Sequence, residues 1–148
     1  VEVVVAAVAA AAAETAGHRA PAAELGLGLL WRPQLAGFTA ERLDDGRLGF
    51  VEVIAESVGP VLPPTLTAAR EAGATVIPHG VSLGLGGAAP PDRRRLARLA
   101  AAAERCGAPL VSEHLAFVRA GDLEAGHLLP IPRTREALDV VVANVRAA

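Results

Sequence analysis

Short apolar runs alternate with helix-period patterns along most of this chain. Four runs read as strands: Glu24–Leu30 (ELGLGLL), Gly49–Ala55 (GFVEVIA), Ala74–Pro78 (ATVIP) and Pro109–Ser112 (PLVS). Each is short, mostly apolar and bounded by Gly or Pro, as strands of a buried parallel sheet are. Between them the apolar spacing becomes helical. Pro33–Leu43 carries Leu35, Phe38 and Leu43 on a loose apolar face, and Pro64–Ala72 opens on Pro and stops at Gly73. The clearest helix is Asp92–Cys106. Asp92 is a good N-cap, Leu96, Leu99, Ala100 and Ala103 keep helical spacing, and Gly107 supplies a left-handed C′ position. Arg93, Arg94, Arg95 and Arg98 are expected on its wet side. A last helix starts near Thr134, with Leu138, Val141, Val142 and Val145 on one face.

The order is therefore β-α-β-α-β-α-β-loop-α. Repeating βα units with short links imply a parallel sheet with right-handed crossovers. Four such units occupy about half the roughly 250 residues of a (βα)8 TIM barrel. The expected fold class is α/β of that barrel type, with the chain covering the first four βα units; a compact open sheet is the alternative. The final helix has no strand after it, which favours truncation. A half-barrel would expose strand edges and an apolar sheet face, and would need a partner, a second copy or the missing half.

The start reads differently. Residues 1–13, VEVVVAAVAAAAA, form an apolar run broken by Glu2. The run is shorter than the roughly 20 residues that span a bilayer, and it lacks the basic region of a signal peptide. Residues 1–22 are expected to be an extension and linker, with ETAGHRAP as the link, and residues 23–148 the barrel domain. The chain contains no Met, so it reads as a fragment or a processed product.

Composition narrows the class. The 148 residues are 52% hydrophobic and 20% charged, which suits one globular domain. The net charge is −2, every basic residue is Arg, and no basic stripe marks a nucleic-acid partner. No membrane partner is expected either. The single Cys106 excludes an internal disulfide framework and a CxxC zinc site, and reads as a small residue near a helix end. A reducing cytoplasm is the compatible location.

In parallel α/β folds the chemistry lies at the C-terminal ends of the strands. Strand two ends at Glu56, strand three at His79, and strand four at Glu113 and His114. Two carboxylates and two imidazoles thus collect at one rim. That set suits iron, manganese or zinc, or acid–base chemistry by a His–Glu pair. The bland alternative is capping by Glu113 and a strand-end hydrogen bond for His79. Adjacent strand residues point to opposite faces, so Glu113 is expected inward and His114 in the pocket wall. Glu52 shares a face with Ile54, as a buried polar group or part of an ion pair. The glycines of VIPHGVSLGLGG give GxGG, with Ala89 where a third would stand, and the helix begins only near Asp92. A dinucleotide turn needs the helix to start at the glycines, so a nucleotide site is not expected. His127 is expected on a loop before the last helix and His18 in the linker.

LGLGLLWRP, FVEVIAES, IPHGVSLGLGG, LVSEHLAFVR and HLLPIPRTREALDVV resemble, in order, blocks of the multinuclear non-heme iron-dependent oxidative enzymes, catalogued earlier as domain of unknown function 692. The resemblance covers roughly residues 24–148. It implies a TIM barrel related to xylose-isomerase-like barrels, with two or three iron ions at its C-terminal mouth. It also implies oxidative modification, with dioxygen, of cysteine or other residues in a ribosomally made precursor peptide, which a partner protein can present. By position, the resemblance makes His79 an iron ligand and Glu113 a bridging iron ligand, and sets Glu56 near the metals. His114 would support or shape the pocket with Glu56. Two departures stand out within one block: Ile54 replaces a His ligand found in many members, and Ser57 replaces the usual Asn. Further ligands come from the second half of the family's barrel.

The leading expectation is an enzyme: the N-terminal half of an iron-dependent oxidative peptide-modifying enzyme, inactive as the 148-residue fragment. The alternatives are a non-redox divalent-metal enzyme of the same barrel superfamily and a truncated, non-catalytic binding module.

Overall fold

A computed structural model describes residues 3–4 and 25–148. Apart from Val3–Val4, the expected extension and linker over residues 1–22, with His18, lie outside the described residues. So does Glu24, at the start of the first expected strand.

One sheet of five strands organises the chain. Its strands are β1 (Val3–Val4), β2 (Gly28–Leu30), β3 (Phe50–Ile54), β4 (Thr75–Gly80) and β5 (Ser112–His114), in the spatial order β1-β5-β4-β3-β2. The pairings among β2, β3, β4 and β5 are parallel; β1 runs antiparallel to β5. Helices α1 (Ala36–Asp44), α2 (Pro64–Glu71) and α3 (Arg93–Cys106) form the crossovers, and α4 (Arg135–Ala147) follows. Four consecutive parallel strands with helical crossovers are consistent with part of a TIM-barrel-like fold.

Strand alternation separates two faces. Val51, Val53, Val76 and Val111 join Leu66 and Ala69 of α2 and Leu99, Ala102 and Cys106 of α3 in one buried cluster. Burying a Val or Leu side chain contributes roughly 1.5–3 kcal/mol, so this face anchors the sheet to its helices. The opposite face carries the register row Ile54, His79 and Ser112. The first face holds the fold, and the other carries Glu52, His79 and Ser112 among apolar Ile54 and Ile77.

The helix ends follow their sequence signals. Asp92 caps α3 by accepting from the backbone N–H of Arg94 at 2.8 Å and Arg95 at 3.1 Å, and these bonds hold its carboxyl below the usual range. Gly107 closes α3 at φ 59°, in the left-handed region. Thr134 caps α4 by accepting from Ala137 N–H at 3.2 Å. Cys106 is buried at the end of α3, and burial raises its thiol pKa, so it behaves as a small core residue. No helix among the described residues is long and apolar enough to cross a membrane.

Two expectations are corrected. The fourth run, expected as a strand at Pro109–Ser112, is a strand at Ser112–His114, parallel to the end of β4 and antiparallel to β1. Pro109 has no N–H to give a ladder. The segment expected as a loop before α4 contains a hairpin, β6 (Ala116–Ala120) with β7 (Leu123–Pro130). Its turn residues are Gly121, at φ 58°, and Asp122, a glycine-led pair of the kind that closes tight hairpins.

Candidate functional site

The rim at the ends of β3, β4 and β5 brings His79 and His114 together. Their Nε2 atoms are 2.9 Å apart and the rings meet edge to face, with centroids separated by 4.7 Å. The other nitrogen of His79, Nδ1, lies 2.8 Å from Ser112 Oγ, and Ser112 donates to Glu52 Oε1 at 2.6 Å. Glu52 Oε1 is also 3.5 Å from His79 Nδ1. His79 is 5% exposed and Ser112 2% exposed, so the middle of this chain is shielded from water, while Glu52 and His114 at its ends are half-buried. Burial, joined by the neighbouring His79, pushes the His114 pKa down and favours its neutral form.

The expected orientation of Glu113 and His114 is reversed. Strand β5 stays extended through His114, so alternation sets Ser112 and His114 on the face of His79 and turns Glu113 to the other. Glu113 pairs in register with Gly80, and a Cβ on Gly80 would collide with the Glu113 carboxyl. Its oxygens accept from Leu83 N–H at 3.1 Å and His114 N–H at 2.8 Å. Beside it an apolar cavity of about 410 Å³ is lined by Leu83, Leu85, Leu99 and Val111. Burial there raises the Glu113 pKa from the ordinary 4.5 to about 7.

Glu56 lies in the 3-10 turn Ala55–Ser57 directly after β3. Its Oε1 accepts from Val81 N–H at 3.1 Å and from the Ser82 hydroxyl. It therefore braces the loop that leaves His79. Ser57 donates back to Ile54 O at 2.7 Å. Arg95, expected on the wet side of α3, instead donates to Ser82 O at 2.7 Å and pairs with Glu124 on the hairpin. His127 is exposed on β7, not on a loop, and its Nδ1 donates to Leu128 O at 3.1 Å.

The glycine loop has a packing role. Gly84 has φ 68°, and a Cβ on Gly86 would run into Ile131 and the backbone of Ala116. Gly86 N–H donates to Ala116 O at 2.9 Å. From α4, the buried Asn144 donates to Leu85 O at 2.9 Å and Gly87 O at 2.8 Å. The glycines let the hairpin and α4 approach the loop closely; its carbonyls are engaged by protein. Asn144, Ser112 and Arg95 carry no local sequence signal of their roles, because each acts through a contact distant in sequence.

The donor chemistry fits part of a metal centre. Imidazole nitrogens lie about 2.0–2.1 Å from a bound zinc ion, so two such donors on a tetrahedral ion stand about 3.3 Å apart. The His79 and His114 Nε2 atoms, in hydrogen-bond contact at 2.9 Å, are close enough for one ion to take both after a small separation of the rings. Glu56 Oε2 and His114 Nδ1 are buried without a hydrogen-bond partner among the described residues. No group of three or more His, Cys, Asp or Glu among the described residues is arranged to hold an ion. The imidazole pair is thus a partial donor set.

Residues 25–148 match the family described as "RiPP precursor modification enzyme MbnB/TglH/ChrH". A UPF0276 protein of Streptomyces avermitilis is 56% identical over 132 residues, covering 84% of this chain and 26% of that protein. UPF0276 proteins of Rhizorhabdus wittichii and Chromobacterium violaceum are each 42% identical, over 102 and 99 residues, with 36% of each relative covered. The chain spans about a quarter to a third of the length of these curated relatives. It belongs to this family of enzymes that modify the precursors of ribosomally made peptides.

Proposed function

We propose that this chain is the N-terminal half of a (βα)8-barrel enzyme that oxidises a ribosomally made precursor peptide, at cysteine, using iron and dioxygen. The observation that carries the reading is the pair of rim imidazoles, buried His79 and half-buried His114, with Nε2 atoms 2.9 Å apart at the C-terminal ends of parallel strands. Family membership supplies the peptide substrate class.

His79 and His114 would hold one iron ion, and the remaining ligands would come from beyond these 148 residues. Bound iron supplies redox chemistry with dioxygen and a position for a substrate thiolate. Glu56 holds the Val81–Ser82 loop in place beside His79. Arg95 ties the same loop to Glu124 of the hairpin, so the rim is braced from two sides. Ile54, next to His79 in the sheet, presents an apolar wall that limits water at the imidazole. Glu113 is assigned a structural role beneath the sheet rather than a bridging one. The site is read as cytoplasmic, served by a partner protein that presents the peptide.

The test is the mass change of a precursor peptide incubated with the full-length parent protein. Oxidation under dioxygen, absent under argon and lost in His79→Gln, supports the proposal. A second reading, a non-redox divalent-metal enzyme, is favoured by Ile54, which offers no donor beside His79. Turnover with zinc or manganese under argon would select it.

A further inference from the structure

We propose that Glu52, acting through Ser112, fixes the tautomer of His79, so that Nδ1 carries the proton and Nε2 presents its lone pair to His114. Glu52 and Ser112 are then positioning residues for the imidazole pair.

The protons along the chain Glu52–Ser112–His79–His114 can be arranged in one way when the carboxylate is ionised and the rings are neutral. A carboxylate only accepts, and a serine hydroxyl has one proton. Ser112 Oγ lies 2.6 Å from Glu52 Oε1, so its proton points to Glu52. What remains toward His79 Nδ1, 2.8 Å away, is a lone pair. His79 Nδ1 must therefore donate, and in the neutral ring Nε2 is left unprotonated. Across the 2.9 Å gap His114 Nε2 is the donor, and His114 Nδ1 becomes the lone pair with no partner among the described residues. The direction runs one way from the single carboxylate. An isolated imidazole side chain favours the opposite form, with the proton on Nε2, so the relay works against an intrinsic preference.

The tautomer follows from hydrogen bonding alone. Its functional consequence rests on the reading of His79 and His114 as ligands: His79 Nε2 presents a lone pair in the metal-free chain, and an ion bound there would replace the His114 Nε2 proton and the hydrogen bond it makes. Residues that orient a ligating imidazole typically alter metal affinity about 10–100-fold when removed.

Nitrogen NMR of the chain labelled with 15N-histidine, kept metal-free with chelator, reads the tautomer; a His79→Gln spectrum assigns the signals. The expected result is a protonated Nδ1 and an unprotonated Nε2 on His79. Ser112→Ala returns the ring toward the Nε2–H form, and Ser112→Thr, which keeps the hydroxyl, retains the Nδ1–H form. In titrations of the full-length parent protein with Fe²⁺, Ser112→Ala weakens binding about 10–100-fold and Ser112→Thr restores it. A wild-type His79 protonated on Nε2 overturns the proposal even if a variant fails to fold. An unchanged tautomer in Ser112→Ala does so as well. Because the spectrum is taken without metal, a failure of iron binding counts against the metal reading and leaves the tautomer result intact.

Discussion

Ile54 stands directly beside His79, paired with it in the register of β3 and β4 and on the same face of the sheet. The sheet thus sets a hydrocarbon side chain where an imidazole could reach the His79–His114 pair. Ile54→His is expected to add a third nitrogen donor on that face and to strengthen divalent-metal binding by about tenfold or more. Calorimetric titration of the wild type and the variant with Fe²⁺ or Zn²⁺ checks this. Equal affinities would mean that position 54 does not face the ion.

Glu113 makes stability depend on pH. Its folded-state pKa is about 7 against the ordinary 4.5, chiefly because it is buried, with the nearby Glu56 charge adding to the rise and backbone N–H groups opposing it. Between those values the folded chain holds a proton that the unfolded chain has released. The stabilisation is full below 4.5 and is lost as pH rises through about 7. At about 1.4 kcal/mol for each pH unit, the loss approaches about 3 kcal/mol. Glu113→Gln, which has no proton to release, is expected to flatten this part of the profile and to be the more stable form near pH 8. Urea unfolding between about pH 5 and about pH 8 measures the difference. Parallel profiles would show that Glu113 ionises freely in the folded chain.

Asn144 is a small polar group holding a large structural consequence. Its amide satisfies two loop carbonyls, Leu85 O and Gly87 O, from the far end of the chain. Asn144→Ala leaves both without that donor, at an expected cost of about 1–3 kcal/mol in unfolding free energy. Asn144→Asp puts an acceptor against two acceptors and is expected to cost more than Asn144→Leu. Denaturant midpoints order the three variants.

Much of this architecture can be read locally. Alternating βα units, the Asp92 cap and the Gly107 stop are patterns within a few residues, and all reappear in the fold. The crowding of His79, Glu56 and His114 at one rim also follows, since parallel strands end on one side. What was not legible depends on register. Whether β5 continues through His114 decides which of Glu113 and His114 faces His79, and a shift of the strand by a few residues reversed the answer. Ser112 looked like a strand-end residue because Glu52, its acceptor, lies 60 positions earlier. The hairpin after β5 carried a Gly-Asp turn signal, yet its segments mix apolar and polar residues too irregularly for alternation to reveal them.

His79 and His114 are proposed to hold iron together. Metal analysis with Mössbauer spectroscopy of the full-length parent protein, purified without oxygen, tests it most directly. The expected result is bound iron whose spectrum changes in His79→Gln and in His114→Gln, with iron lost in the double variant. A full-length protein free of iron that cannot be loaded, or iron content and spectra unaltered by both substitutions, would contradict it.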